Sequence, residues 1–317
     1  MSRRIALIGR GVVGRRIEKR LALAQDGRSV VHLDPRVVDV ATTRRLDDVD
    51  IVVLAHPGGH HPVAVPLLER GLHVVSIGDH VSDVAALIEE AERADHHDAT
   101  LVVGAGMAPG LVGLIARNLA RLFDSVDEIH VALHGTAGPA CARQHHRALS
   151  GDAVAFDDGA FTAVRAGTGR ELAWFPEPVG AYDCYRAELP SPLIMHRTFP
   201  EVGRLTARVS ANRRDRFTSR LPMLTPPHKE GGVGAVRVEL RGTDSSGARL
   251  TVIAGIAEMV GTAAAATACA YVEALIRDEL RPGLTLPGDG AVDTTALLRD
   301  VERFGVRLQE FTGVPSA

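Results

Sequence analysis

Three glycines near the N-terminus have the spacing of a phosphate-binding turn. Gly9, Gly11 and Gly14 form a G-x-G-x-x-G pattern that follows the apolar run Ile5 to Ile8 and precedes a helix-compatible stretch. In such a turn the first glycine permits a tight bend, the second lets the backbone approach a pyrophosphate, and the third allows helix and sheet to pack closely. The pattern therefore predicts a dinucleotide site. Its predicted cofactor-binding residues are Gly9, Gly11, Val12, Val13 and Gly14.

An acidic residue stands where such a turn needs one for the adenine ribose. Asp34 ends the second apolar run, at the expected distance of about 20 residues beyond the glycines. A carboxylate there binds the ribose 2′-hydroxyl and repels a 2′-phosphate, so Asp34 favours NAD over NADP. Arg36 can instead turn onto a 2′-phosphate, be solvated or stack on the adenine, which leaves the choice between NAD and NADP open.

Two segments further along the chain carry side chains that can move protons or bind anions. The run Tyr182 to Arg186 holds two of the three tyrosines, and Tyr185 can donate a proton to an imine nitrogen. Lys229 is a rare lysine in an arginine-rich chain, and its compact ammonium can bind a substrate carboxylate. The alternatives are that the tyrosine rings pack in a core and that the lysine is solvated. We predict Lys229, His228 and Tyr185 as the catalytic residues.

Other titratable residues give weaker signals. The doublets His60-His61, His96-His97 and His145-His146 have no acidic or cysteine partner at metal-ligand spacing, and adjacent side chains point in different directions. We interpret all of them as surface histidines and predict no metal site. Arg143 and Arg197 are further candidates for binding a substrate carboxylate through paired hydrogen bonds.

Alternating strand and helix patterns must position the glycine turn and Asp34. Five short apolar runs end near residues 8, 33, 55, 77 and 103, and helix-compatible stretches separate them. Strands that are apolar on both faces and alternate with helices indicate a parallel, doubly wound sheet. We therefore predict an α/β fold that begins with a Rossmann dinucleotide-binding domain over residues 1–125.

From about residue 126 the chain alternates apolar with polar residues, which is the period of half-buried strands. This pattern predicts a second, α+β domain over residues 126–258, built on a mixed or antiparallel sheet for substrate binding and dimerisation. One face of such a sheet needs a cover, so we predict a homodimer. Residues 176–227, dense in proline, arginine and aromatics, predict long loops around a pocket. Residues 259–317 are predicted to form helices that pack back on both domains.

The first third of the chain resembles a known family. The segments Ala55 to Pro57, Leu72 to Ser76 and, above all, the glycine-rich turn Gly104 to Leu111 are similar to those of saccharopine dehydrogenase-like oxidoreductases. The similarity covers residues 4–120 and, more loosely, 255–276. It implies an NAD(P)-dependent dehydrogenase or reductase that transfers a hydride at a C–N bond of an amino acid, imine or related small amine.

In that family the turns after the third, fourth and fifth strands line the cofactor cleft. The general rule for open parallel sheets agrees, because ligands bind beyond the carboxyl ends of the strands. His56 is either a ligand of the nicotinamide ribose or a polar loop residue. The resemblance adds the cofactor-binding residues Ala55, His56, Pro57, Asp79, Gly104, Ala105, Gly106 and Met107, beside Asp34 and Arg36.

Composition excludes several classes of protein. With 36 basic and 39 acidic residues the net charge is -3, so the basic excess typical of nucleic-acid binders is missing. The three cysteines form no C-x-x-C pair, which argues against a disulfide framework or zinc knuckle and predicts a cytoplasmic location. We interpret Cys141 and Cys184 as ordinary small residues. No membrane span or signal peptide is expected, and the predicted partner is a small-molecule substrate.

Two other functions remain open. The chain can be a catalytically inactive Rossmann-fold protein that binds nucleotides or acts as a scaffold. It can also be a dehydrogenase of the sugar or hydroxy-acid type, although the segment Ser76 to His80 lacks the lysine that the sugar enzymes carry after their fourth strand.

Overall fold

The computed structural model describes residues 3–24, 30–93 and 98–311. Strands β1, β3 and β5 are buried along their whole length, which explains why their sequences show no alternation. The elements of the first part of the chain are β1 (Ile5–Ile8), α1 (Val12–Ala24), β2 (Val31–Leu33), β3 (Ile51–Leu54), α2 (His61–Glu69), β4 (His73–Ser76), α3 (Val81–Arg93), β5 (Thr100–Val103) and α4 (Val112–Ala120).

The rest of the chain is richer in strands. Its elements are β6 (Ser125–His134), α5 (Pro139–Ala148), β7 (Asp152–Asp157), β8 (Ala160–Arg165), β9 (Glu171–Phe175), β10 (Gly180–Arg186), α6 (Ser191–Thr198), β11 (Arg204–Ser210), α7 (Arg213–Thr218), β12 (Val233–Thr243), β13 (Arg249–Met259), α8 (Val260–Ile276), β14 (Gly283–Thr285), α9 (Thr294–Arg303) and β15 (Gln309–Glu310).

The first sheet has six parallel strands in the order β14-β5-β4-β3-β1-β2. The chain leaves β1 on one side to form β2 and returns on the other side to form β3. Between β1 and β3 the direction of winding reverses, and open parallel sheets form their ligand crevice at such a point, at the carboxyl ends of the strands. The predicted Rossmann sheet is confirmed. Residues 259–317 were predicted to form only helices. That prediction missed β14, a strand of three residues that joins this sheet.

The second sheet follows the order β15-β13-β12-β6-β11-β10-β9, and the hairpin of β7 and β8 attaches to β11. Strands β6 and β11 run parallel, whereas the other pairs are antiparallel. The predicted mixed sheet of a second domain is therefore confirmed. Its two longest strands, β12 and β13, form a hairpin around the turn at residues 244–248.

The interpretation of residues 176–227 as long loops is wrong. The segment contains β10, α6, β11 and α7. Strand β10 forms because its residues pair on both sides, with β9 and with β11. Cys184 and Tyr185 of this strand are buried, and the nearest prolines, Pro178 and Pro190, lie outside it.

Helix α8 joins the two domains. Most of its residues are alanine, glycine or threonine, and nearly all are buried, because small side chains let α1 and the first sheet approach closely. A Cβ on Gly261 would lie 3.0 Å from Cγ1 of Val12, so α8 packs directly against the start of α1. Although α8 is strongly buried, no helix in the described part of the chain has the length and hydropathy that crossing a membrane requires.

Candidate functional site

The glycine turn joins the end of β1 to the start of α1. Gly9 has a φ of +121°, and a Cβ on it would lie 2.4 Å from the carbonyl carbon of Ala55, just after β3. A Cβ on Gly14 would lie 2.1 Å from the carbonyl oxygen of Gly9. Packing of the turn itself therefore requires glycine at both positions.

Gly11 is different because nothing packs against it. It is exposed, and no atom lies within 4 Å of the position that a Cβ would take. The N–H of Arg15 donates to its carbonyl oxygen at 3.0 Å, so the first helical turn begins at this residue. Free N–H groups at a helix start bind phosphate oxygens. The turn therefore fits a pyrophosphate, since a side chain at residue 11 would fill the place that the phosphates need.

Asp34 directly follows β2, and Arg36 holds its carboxylate. The Arg36 guanidinium donates to Oδ1 at 2.9 Å and to Oδ2 at 2.6 Å, and the Arg36 backbone N–H donates to Oδ1 at 3.0 Å. These hydrogen bonds lower the pKa of Asp34 to about 2. The carboxylate is thus ionised and oriented, as a ligand of a ribose hydroxyl must be, and Arg36 folds back onto it.

The ends of β3 and β4 are tied together by His60. Its Nε2–H donates to the carbonyl oxygen of His56 at 3.0 Å, and its Nδ1 accepts from the hydroxyl of Ser76 at 2.8 Å. The N–H of Gly78 donates to the same hydroxyl at 3.2 Å. Burial lowers the pKa of His60 to about 4, and the ring is neutral. The network fixes the two turns that follow these strands.

The interpretation of all the histidine doublets as surface residues is wrong for two residues. His60 is 1% exposed and His146 is 7% exposed. His146 is buried because its Nε2 bonds the carbonyl oxygens of Thr218 and Leu221, at 3.0 and 3.1 Å. His61 and His145 are half-buried, whereas His96 and His97 lie outside the described residues.

The turn after β5 packs against the end of β4. Gly104 has a φ of +78°, and a Cβ on it would lie 2.5 Å from Cγ of Pro109. The N–H of Ala105 donates to the carbonyl oxygen of Ser76 at 2.7 Å. Ala105 and Met107 are 0% and 5% exposed, so both side chains pack in the hydrophobic core at this turn.

The second domain covers the glycine turn with two loops. A Cβ on Gly138, just before α5, would lie 2.8 Å from Cγ2 of Val12 and 3.5 Å from the carbonyl oxygen of Lys229. Glu230 accepts a hydrogen bond from the Arg15 guanidinium at 2.9 Å. These contacts place the loop 228–230 beside the phosphate-binding turn. The side chains of His228 and Lys229 are exposed there.

Four side chains meet where the loop after β4 faces α5 of the second domain. Asp79 lies on the loop, and Cys141, Gln144 and His145 lie on the helix. Gln144 Nε2 donates to Asp79 Oδ1 at 2.6 Å. The His145 ring interacts with both Asp79 and Cys141, and its Nδ1 is buried without a hydrogen-bond partner among the described residues. We call these four residues the interdomain cluster.

The interdomain cluster can hold a proton. Burial lowers the pKa of His145. The negative charges that Cys141 and Asp79 can carry raise it by a larger amount, so that the pKa is about 9. Burial also raises the pKa of Asp79, against the opposing effects of His145 and Gln144. Sequence reasoning predicted Asp79 as a cofactor-binding residue but missed its partners on α5. The i,i+4 spacing of Cys141 and His145 on one helix face was the available signal, but Asp79 comes 65 residues before Gln144.

Tyr185 lies in the core of the second domain. Its side chain is 4% exposed, and the guanidinium carbon of Arg216 lies 4.1 Å from its ring centroid. The ring therefore packs in the core, which was the alternative to the predicted catalytic role. It is not part of the interdomain cluster. Tyr182 is 43% exposed and stacks on His134, with ring centroids 4.1 Å apart.

The remaining candidates are also placed. Arg197 forms an ion pair with Glu92 of α3, so its guanidinium is already engaged. Arg143 is exposed on α5. Cys184 is buried, and burial raises the pKa of its thiol to about 12, which agrees with an ordinary small residue.

Comparison with solved structures places this fold among known proteins. Apo saccharopine dehydrogenase (L-Glu forming) from Saccharomyces cerevisiae matches with a TM-score of 0.69 and 13% identity, covering 98% of this chain and 99% of that one. A meso-dapdh variant with DAP, from Clostridium tetani E88, matches with a TM-score of 0.49 and 13% identity over 93% and 95% of the chains. GenD2 from gentamicin A biosynthesis, in complex with NAD, matches with a TM-score of 0.44 and 15% identity over 98% and 97%.

No protein-family model and no curated protein matches this sequence. The match to saccharopine dehydrogenase spans nearly the whole of both chains. The resemblance that the sequence indicated is therefore confirmed at the level of the fold.

Proposed function

We propose that this chain, which has the fold of saccharopine dehydrogenase, is an NAD(P)-dependent oxidoreductase acting at a C–N bond of an amino acid, imine or related small amine. One observation carries the proposal. An open phosphate-binding turn at Gly11 and the proton-holding pair of Asp79 and His145 lie along the carboxyl edge of the same sheet. A dehydrogenase needs both, one for the cofactor and one for the substrate's proton.

The chain's own residues account for how a dinucleotide is held. The N–H groups of the glycine turn and of the first turn of α1 would hold the pyrophosphate. Asp34 would hold the adenine ribose at one end of the sheet, and Met107 and the loop of Asp79, which follow β5 and β4, would adjoin the nicotinamide. Because Asp34 is ionised, we propose NAD as the preferred cofactor.

At the substrate end we assign roles to three side chains. The bound nicotinamide supplies or accepts the hydride. His145 holds or takes the proton that the amine or imine nitrogen exchanges, and Asp79, anchored by Gln144, orients its ring. We assign the ammonium of Lys229, which is exposed on the loop beside the glycine turn, to a substrate carboxylate. We place no step on the buried Tyr185.

Two further parts of the proposal concern the assembly and the location. Leu172 and Tyr182 on β9 and β10 are 57% and 43% exposed, which supports a homodimer through this edge of the second sheet. The three cysteines are free, which supports a reducing, cytoplasmic location. Light scattering after gel filtration tests the dimer.

The decisive experiment separates cofactor binding from chemistry. Calorimetry with NAD and NADP on the wild type and on Gly11→Val tests the turn, since valine would block the approach of the pyrophosphate. Absorbance of reduced nicotinamide, followed with panels of amino acids, amines, hydroxy acids and sugars, then tests the substrate class. Binding without turnover on any panel would favour the inactive nucleotide-binding alternative. Turnover of hydroxy acids or sugars alone would contradict the C–N assignment.

A further inference from the structure

A small cavity lies in the second domain, where two strands share one edge of β11. Strand β10 pairs with residues 208–210 of β11, and β7 pairs with residues 204 and 205. Between these contacts the strands separate and leave a cavity of about 80 Å³. One water needs roughly 10–15 Å³ by the same measure, so the cavity holds several waters or one tetrahedral oxyanion.

Three arginines line this cavity, namely Arg186, Arg204 and Arg208. Arg208 pairs with Glu171 at 2.9 Å, and Arg204 lies 3.8 Å from Asp157. Within residues 3–24, 30–93 and 98–311, no carboxylate lies within ion-pairing distance of Arg186. The cavity therefore has one more positive charge than its nearby carboxylates balance.

The two carboxylates neutralise their arginines only weakly. The side chains of Asp157 and Glu171 are 53% and 50% exposed, so water screens both ion pairs. Arg208 is only 13% exposed. Burial first, and then the charges of Arg186 and Arg204, lower the pKa of Arg208, although Glu171 opposes them. Like charges thus face one another in a partly dehydrated space, and a bound anion would relieve this repulsion.

We propose that this cavity binds a phosphate group, either free phosphate or the phosphoryl end of a small metabolite. Guanidinium groups present paired N–H donors that match phosphate oxygens. One negative charge is enough to balance the excess, so shape favours phosphate over a carboxylate, because its tetrahedral oxygens can accept from more than one of the three guanidiniums. All lining residues belong to the segment 153–208, so the site is separate from the glycine turn and does not depend on the proposed dehydrogenase activity.

Titration of the full-length chain with inorganic phosphate tests the site. Binding is measured by calorimetry and by phosphorus NMR at constant ionic strength, on the wild type, Arg186→Gln, Gly11→Val and Arg281→Gln. Arg281 is an exposed arginine outside the cavity and serves as the matched control. We expect Arg186→Gln to weaken phosphate binding at least tenfold. Gly11→Val should keep the phosphate binding that Arg186→Gln removes, and Arg281→Gln should bind phosphate as the wild type does.

The controls distinguish the cavity from the cofactor turn, which also suits phosphate. Loss of phosphate binding in Gly11→Val with full binding in Arg186→Gln would place the anion at the turn and overturn the proposal, as would no binding to the wild type. Should Arg186→Gln fail to fold, Arg204→Gln replaces it, because that side chain is 46% exposed. A second titration, with glycerol 3-phosphate, distinguishes free phosphate from a phosphorylated metabolite as the ligand. Binding of glycerol 3-phosphate that depends on Arg186 indicates a phosphorylated metabolite. No binding of glycerol 3-phosphate indicates free phosphate.

Discussion

The glycine turn and the interdomain cluster lie along the same edge of the first sheet, yet they are built in opposite ways. The turn is made by backbone, from six consecutive residues whose conformation their own sequence determines. The interdomain cluster is made by side chains from two domains, and Asp79 meets Gln144 across 65 residues of chain. The turn depends on local conformation, whereas the cluster depends on how the domains pack.

This difference predicts different consequences of mutation in the two regions. Backbone crowded against backbone cannot relax, so an added methyl group in the turn costs stability. A side chain that holds a proton at a domain boundary can be replaced without disturbing the fold, and its loss is seen in turnover.

The largest effect should come from the turn, where two glycines that look equivalent in the sequence differ in their surroundings. Gly14→Ala places a Cβ 2.1 Å from the carbonyl oxygen of Gly9. We expect it to lower the free energy of unfolding by more than about 3 kcal/mol, because neither backbone can move away. Gly11→Ala, with open space around it, should change that free energy by less than about 0.5 kcal/mol. Urea unfolding of both variants measures the difference.

Equal losses of stability in the two variants would show that the turn does not pack as described. Dinucleotide binding gives the complementary readout. Gly11→Val should fold normally and fail to bind the dinucleotide. The fraction of Gly14→Ala that still folds should bind the dinucleotide more weakly, because its turn is displaced.

The interdomain cluster is the place for the next test. His145→Gln should lower turnover about 100-fold, because proton transfer by a positioned side chain contributes at least about this much, while the affinity for the dinucleotide stays unchanged. Asp79→Asn should lower turnover in the same direction by a smaller factor, because it only orients the ring. Arg143→Gln, on the exposed face of the same helix, is the matched control. Wild-type turnover in His145→Gln would remove the histidine from the mechanism.

Sequence predicted these regions unequally, and the reason is physical. The parallel sheet, the turn and Asp34 were readable because each rests on local periodicity or on glycine conformation. Strand β10 was missed because prolines and arginines nearby suggested loops, although pairing with two neighbouring strands overrides such preferences. His60 and His146 were misjudged because burial depends on what the rest of the chain packs over them, and neighbouring residues in the sequence do not record that.

His60 gives a test of how firmly the crevice is built. Burial lowers the pKa of His60 to about 4, so the unfolded chain binds a proton there between about pH 6.5 and 4 and the folded chain does not. Stability should therefore fall as the pH falls through this window, by about 2 kcal/mol from this residue between pH 7 and 4.5. Denaturant unfolding across that range measures it.

Burial lowers the pKa values of His73, His130 and His134 as well, and their contributions have the same sign. The variant His60→Gln isolates the contribution of His60 to this loss of stability. We expect it to be less stable than the wild type at neutral pH but to lose less stability when the pH is lowered. An unchanged pH slope in this variant would show that the ring is not held neutral.

The smallest effect concerns the choice of cofactor. In Asp34→Ser the carboxylate that repels a 2′-phosphate is gone, and Arg36, which now donates to Asp34 at 2.9 and 2.6 Å, is released to pair with that phosphate. The site is open to solvent, which screens both the lost repulsion and the new attraction, so we expect the ratio of NADP to NAD affinity to rise only about tenfold. Calorimetric titration with both dinucleotides measures this ratio.

Adding Arg36→Gln to Asp34→Ser should cancel most of the gain in NADP affinity, because the guanidinium supplies the new attraction. A wild type that already prefers NADP would reverse the assignment, since Arg36 would then face the cofactor and Asp34 would merely position it.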